Sequence, residues 1–507
     1  MTTADQPEDI AALAKGGRTN VAGFVLRLGA RIPFMFIAGH MYGAALVGRF
    51  AIAVVVVEFA ALIATLGLKR GLAQALSSTD RPHNHVVFDA LALALIASLI
   101  ASAMLFAFPQ AMYPNSAIVG LDRFFPLIIL APALSDVSLA ALAYRHNVKA
   151  SVTARAVIEP WTLSIFAFLF SFFTHKDGLV LAYVASMVAA LTASIVPLIR
   201  SYGVPHGWSP QVGVLWQMTR ANTPLAGADA LEWGSRNVDR LILGTLFAPS
   251  VVGIYYMAQQ VASLPQKLKT SFDPILGPVV TQSLARGDLA AIARQVRQVA
   301  FWIIAAQLAL AITASIPREG VMATIGPQFV GGAAPMVFLL FAEVFASTGA
   351  VSESALVYMA RHRNLLISMT MLALQIALSF ALILALRTAG YGVTTQAAGA
   401  PIALMLVVLL TSFIKAGVLG RILGVSVSPM RWPLIWAACA GALVGGAFAL
   451  LPPAWRWAQV SIGVAATLAA YLFVIWRYAF GPDDRALFSK MPSAEEATLP
   501  NEGGFIR

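Results

Sequence analysis

Residues 179–199 read LVLAYVASMVAALTASIVPLI, 21 positions in succession without one charged side chain. About 20 apolar residues in a helix cross the roughly 30 Å hydrocarbon layer of a bilayer. Inside that layer every backbone N–H and C=O must be bonded within the chain, so only helices and closed barrels can cross it. Barrel strands alternate polar with apolar residues, which a continuous run does not. Comparable runs recur along the 507 residues, of which 59% are hydrophobic and 11% charged, an apolar share above that of soluble domains. The chain is expected to be an all-α integral membrane protein.

Fourteen windows have the length a bilayer demands: 20–41, 44–68, 86–108, 124–144, 156–174, 179–199, 220–247, 250–275, 298–316, 333–359, 365–386, 393–414, 432–451 and 458–478. The first, second, seventh and eighth carry charges; the rest are comparatively clean. With the N-terminus in the cytoplasm, 22 of the 34 Lys and Arg fall in cytoplasmic segments, five in outer loops and seven inside spans. A missed helix would scramble that asymmetry downstream, so the positive-inside rule supports fourteen spans with both termini cytoplasmic. The net charge of +11 then faces an anionic leaflet, and no nucleic-acid partner is expected. The segments become a tail 1–19, a lobe 20–200, a linker 201–219, a lobe 220–416, two further helices 430–479 and a tail 480–507. Arg27 and Arg31 interrupt the first apolar segment where a cleaved signal peptide needs an unbroken core. The single cysteine, Cys439, permits no intramolecular disulfide and is expected to be a buried small hydrophobe.

The chain repeats itself. LRLGARIPFMFIAGHMYGAALVGRF (26–50) aligns without gaps beneath LEWGSRNVDRLILGTLFAPSVVGIY (231–255), at an offset of 205. Seven of the 25 pairs are identical: Leu26/Leu231, Gly29/Gly234, Arg31/Arg236, Ile37/Ile242, Gly39/Gly244, Val47/Val252 and Gly48/Gly253. Six spans separate the copies, so both halves share one orientation. That predicts two six-helix lobes related by a pseudo-two-fold along the membrane normal, plus two C-terminal helices, a transporter-like plan.

Charges within the spans are the sharpest functional signal. Asp229, Glu232, Arg236 and Asp239 follow at steps of three, four and three, with Arg240 four beyond Arg236, which aligns them on one helix face. Arg236 lies about 16 Å from the outer end of its span, near the midplane, where a charge costs at least about 2.5–3.5 kcal/mol if it meets lipid. The face must look into a hydrated cavity or onto partner charges. Spans one, two, seven and eight hold Arg27, Arg31, Arg49, Arg236, Arg240, Lys267 and Lys269 against Glu58, Asp229, Glu232, Asp239 and Asp273. The surplus of two cations suits an anionic ligand, and the planar guanidinium fork suits phosphate. Neutralising pairs such as Glu232–Arg236 are the competing reading. Asp136, Glu159, Glu343 and Glu353 are further carboxyls within spans, each either a carrier of a coupling H+ or Na+ or a structural hydrogen-bond acceptor. Trp233, Tyr255, Tyr256, Gln259 and Gln260 either contact sugar or pack between helices. No GxxxxGK[ST] motif is present, which excludes an ATPase of that type. No His, Cys and Glu grouping has metal spacing, so no cofactor is expected.

The segment NVDRLILGTLFAPSVVGIYYMAQQVASLPQKLKTSFDPILGPVV (237–280) resembles the central signature of bacterial polysaccharide transporters. These are the lipid-linked oligosaccharide flippases of the multidrug/oligosaccharidyl-lipid/polysaccharide (MOP) exporter superfamily. Asp239, Leu241–Gly244, Gly253, Tyr255, Ala258 and Pro265 carry the likeness. YGAALVGRFAIAVVVVEFAALIATLGLKRGLAQAL (42–76) is similar to the family's opening hairpin. The resemblance implies a non-enzymatic transporter in the bacterial inner membrane, with two six-helix lobes around a central cavity. It implies a polyprenyl-diphosphate-linked oligosaccharide substrate, flipped by alternating access for exopolysaccharide, O-antigen or capsule synthesis. Membrane lipid and a polysaccharide polymerase with its export machinery are the implied partners. A peptidoglycan lipid-precursor flippase and a cation-coupled drug exporter of the same superfamily are the alternatives, the second expecting a net acidic pocket. A membrane glycosyltransferase or polymerase needs an acidic outer catalytic loop, and here the outer loops hold mainly Asp122, Asp177 and Glu319.

Overall fold

A computed structural model of the chain describes residues 29, 31–270, 283–284, 286–452, 455–481 and 484, without the side chains of Val148, 267–270 and Arg456. Every regular element among the described residues is helical. In chain order they are α1 (31–42), α2 (Gly43–Ala64), a short α3 (Leu68–Ser77), α4 (His83–Ala107), α5 (Leu130–Tyr144), α6 (Lys149–Phe170) and α7 (Gly178–Tyr202). The second half supplies α8 (Val212–Leu246), α9 (Pro249–Thr270), α10 (Leu289–Ser315), a short α11 (Arg318–Ile325), α12 (Ala333–Met359), α13 (Arg361–Thr388) and α14 (Gly399–Leu423). Two helices follow, α15 (Trp432–Ala449) and α16 (Gln459–Ala479).

Without the short α3 and α11, these are the fourteen helices expected. Length and apolarity alone single out eleven membrane spans among the described residues, and the difference has two physical causes. α8 and α9 carry too many polar groups to register as apolar. α1 and α2 register as one run because only Gly43 separates them. There φ is +79°, a conformation glycine alone adopts freely, and the chain doubles back. The Phe34 and Phe50 rings lie 6.2 Å apart, whereas sixteen residues of unbroken helix would part them by about 24 Å. α8 and α9 form the matching hairpin, with Arg240 Nε donating to Gln259 Oε1 at 2.9 Å.

The helices of each half pack chiefly on their own half: α4, α5, α6 and α7 with α2, and α10, α12, α13 and α14 together. α2 and α9 join the halves. At their crossing, a Cβ on Gly48 would overlap the carbonyl of Pro249, and one on Gly253 would overlap the carbonyl of Ala44. Each glycine also faces the other's backbone nitrogen. Pro249 is 205 residues beyond Ala44, as Gly253 is beyond Gly48, so the contacts are reciprocal and the local two-fold passes between the glycines.

α15 and α16 pack on each other and on α10. Their base is pinned by the buried Asp484, which accepts from Arg431 Nη1 at 2.6 Å and from Trp302 Nε1 at 2.8 Å. Ile100, Phe413 and Leu443 are exposed mid-helix, as side chains covered by lipid should be. Cys439 belongs to this class: expected buried, it is exposed on α15, because a helix with one protein-facing side turns the other to the bilayer.

Candidate functional site: a cavity between the halves

A cavity of about 1690 Å³ lies between the halves, walled by α1, α2, α6 and α7 on one side and by α8, α9, α12, α13 and α14 on the other. It reaches the end of the bundle that bears α3 and the α12–α13 turn, where Arg70, Arg361 and His362 line it. The other end, expected to be the outer one, is closed. Two side-chain amides hold it shut. Asn115 Nδ2, from the α4–α5 loop, donates to the carbonyls of Gly244, Thr245 and Phe247 at 2.9, 3.1 and 3.1 Å. Gln328 Nε2, from the α11–α12 loop, donates to the carbonyl of Gly39 at 2.8 Å. Gly39 and Gly244 are one of the identical pairs of the repeat, so each half latches onto the equivalent carbonyl of the other.

The wall carries Arg31 from α1 and Arg240 from α8. Arg31 Nη1 donates to Ser263 Oγ at 3.1 Å. Arg240 holds Gln259 Oε1 with Nε at 2.9 Å and Nη2 at 2.6 Å, reaches Asn237 Oδ1 at 3.3 Å and lies 5.2 Å from the centroid of Tyr256. None of these partners is a carboxylate. Among the described residues neither guanidinium has an ion pair, and Glu58 is the carboxyl that both act on across the cavity. Two of the other wall cations are neutralised. Arg236 pairs with Glu232 at 2.9 Å, and Arg70 bridges the halves to Asp229 at 2.6 Å and Glu232 at 2.5 Å.

Several residues singled out in the sequence lie outside the cavity wall. Arg49, grouped with the cavity cations, is not in the wall: it pairs with Asp122 and lies 5.3 Å from the centroid of Tyr113. Asp239 is fully buried against α9, where Tyr255 Oη donates to it. Asp229 is buried behind the wall beneath Arg70. Asp136 also lies outside the lining, between Arg155 and Lys69 at 3.3 Å. Arg155 in turn holds Glu159 at 2.7 Å. The single charged face of α8 therefore divides, with Glu232, Arg236 and Arg240 turned to the cavity. Glu58, Glu159 and Glu343 line it as well. Arg27 and Asp273, and the side chains of Lys267 and Lys269, lie outside the described residues. Among those described, six cations (Arg31, Arg70, Arg236, Arg240, Arg361, Lys415) face five carboxylates (Glu58, Glu159, Glu232, Glu343, Glu353). The wall is nearly balanced, and among its described cations Arg31, Arg240 and Arg361 have no ion pair. Of the aromatic candidates only Tyr256 lines it. Trp233 stacks on Phe59 with centroids 4.7 Å apart.

Removing Arg49 tests its structural role. Arg49→Ala strands the 7%-exposed Asp122 side chain without its cation, at a cost of about 2 kcal/mol. A lower melting temperature of the purified protein is expected; an unchanged one contradicts the pairing.

The sequence reading also missed residues. Lys415, one residue beyond the apolar window 393–414, lies within α14, only 4% exposed, on Glu353 at 2.9 Å. Arg70, likewise beyond its window, reaches the second half.

Comparison with known proteins follows this geometry. The family described as polysaccharide biosynthesis protein matches residues 45–329. No curated protein matches the chain. A lipid II flippase, MurJ, in an inward closed conformation superposes with a TM-score of 0.70 at 11% identity, over 90% of this chain and 99% of its own. An inward-facing multidrug resistance MATE family transporter of the MOP superfamily gives 0.63 at 12% identity, over 79% and 98%. A MOP superfamily transporter from Pyrococcus furiosus, noted for the reversed polarity of its binding pocket, gives 0.54 at 12% identity, over 82% and 96%. At these identities the likeness establishes a shared fold.

Proposed function

This chain belongs to the polysaccharide biosynthesis protein family, and we propose that within it the chain is a flippase. Its cargo is a polyprenyl-diphosphate-linked oligosaccharide repeat unit, carried across the bacterial inner membrane by alternating access. One observation carries the reading. Arg31 and Arg240, from equivalent hairpins of the two halves, line the cavity with only neutral hydrogen-bond partners. Charge-assisted bonds from such forks to phosphate oxygens are short and strong in a site with little water, and a diphosphate offers enough oxygens for both. The sugars then occupy the polar cavity while the polyprenyl chain stays in the bilayer. Glu58, Glu159 and Glu343, which line the same space, are the candidates for a coupling H+ or Na+. The two guanidiniums, without an ion pair among the described residues, disfavour a cationic drug.

Peptidoglycan precursors share the diphosphate, so the lipid II cargo of the structural neighbour is the second reading. The sugar, not the anchor, separates the two.

The test uses purified full-length protein and undecaprenyl diphosphate. Arg31→Gln and Arg240→Gln are each expected to weaken binding about tenfold, and Arg236→Gln, whose charge Glu232 already cancels, about twofold or less. Wild-type affinity in the Arg31→Gln/Arg240→Gln double variant would remove the anion site.

A further inference from the structure

The cavity has an arm inside the second half, between α12, α13 and α14, that diphosphate binding leaves unused. Asn364, Ser368 and Gln375 follow along α13 at steps of four and seven, one helix face, and that face lines the arm. Asn364 is 7% and Gln375 3% exposed. Yet among the described residues Asn364 Oδ1 and Gln375 Nε2 have no hydrogen-bond partner. Buried amide atoms are ordinarily satisfied, and each exception asks for a reason.

The charges of the arm cancel one another. Lys415 Nζ bonds Glu353 Oε2 at 2.9 Å and donates to Ser368 Oγ at 3.0 Å, while Asn364 Nδ2 donates to Glu353 Oε1 at 3.3 Å. An anion entering here would meet Glu353 and the Asn364 carbonyl, and a cation would meet Lys415. The two unsatisfied atoms are buried beneath the lining of the arm, where a turn of each side chain would present them to a ligand, and are of opposite kind, an acceptor at Asn364 and a donor at Gln375. A neutral molecule whose hydroxyls both donate and accept satisfies both, and Leu404 and Val407 offer an apolar wall to the C–H face of a ring. Eleven residues part Asn364 from Gln375, about 16 Å along the helix, more than one ring spans.

We propose that this arm is a sugar-hydroxyl subsite that receives the oligosaccharide while Arg31 and Arg240 hold the diphosphate. The subsite rests on the flippase reading, and it makes the second half the reader of the sugar.

Two probes separate the claims: undecaprenyl diphosphate, and the glycosylated lipid extracted from cells lacking this transporter. Gln375→Leu is expected to weaken binding of the glycosylated lipid about five- to tenfold and to leave the bare diphosphate within about twofold. Its melting temperature should equal or exceed that of the wild type, because an unpaired buried amide gives way to an apolar group of similar shape. A merely structural glutamine would instead lower it. Gln375→Met repeats the measurement should leucine disturb the helix. If the ratio of the two affinities matches the wild type, water alone serves these atoms and the subsite is refuted, while the anion site survives. If wild-type protein binds neither lipid, both readings fall.

Discussion

Gly48→Leu is expected to abolish the folded protein. A Cβ at this position would sit inside the carbonyl of Pro249 and against the backbone nitrogen of Gly253. These are main-chain atoms near the α9 hairpin, and they have no rotamer in which to retreat. α2 and α9 must separate, and they form the main contact between the halves. Overpacking of that kind costs at least about 3 kcal/mol, a large fraction of what holds a domain together. Size-exclusion profiles should show aggregate in place of a monodisperse peak. Gly253→Leu should do the same, since it meets the equivalent carbonyl of Ala44. A monodisperse Gly48→Leu protein with the wild-type melting temperature would contradict the crossing.

The second large effect concerns conformation. Removing both amide latches, in Asn115→Ala/Gln328→Ala, is expected to open the closed end. The Asn115 amide has two protons for three carbonyls, and Gln328 adds one bond to Gly39. At about 1 kcal/mol net for each bond, the variant loses about 3 kcal/mol of closure, roughly a hundredfold in the population ratio. Spin labels at the exposed Ala117 and Thr324, introduced by Ala117→Cys and Thr324→Cys on a Cys439→Ser background, report the gap by electron–electron distance measurement. A new, longer component is the expected result. If the distance distribution of the latchless protein matches that of its parent, the amides do not govern this end.

The reach of the sequence differs between fold and site for a physical reason. Spans follow from local hydropathy, so α4 through α7 and α12 through α16 could be read directly. The hairpins at 42–43 and 247–249 were legible because the repeat supplied the same glycines twice. Partners were not legible where contact crosses long stretches of chain. Nothing near Arg49 announces Asp122, 73 residues away, and nothing near Arg70 announces Asp229 in the other half. Helical spacing placed Asp239 beside Arg236 but could not say that Tyr255 would claim it. Lys415 was lost to a window that ended one residue early. The competing reading of neutralising pairs holds for Arg236 and Glu232; Arg31 and Arg240 escape it because Ser263, Asn237 and Gln259 are neutral.

The arm between α12, α13 and α14 has no mirror image. In the first half the corresponding interior is filled by Arg155, Asp136 and Lys69 and by the packed rings of Phe50, Phe125 and Tyr183. A frame of duplicated halves thus encloses a lopsided chamber. For the proposed cargo, a bulky headgroup would meet two unlike walls, so polarity of loading would be built into the protein before any conformational cycle begins.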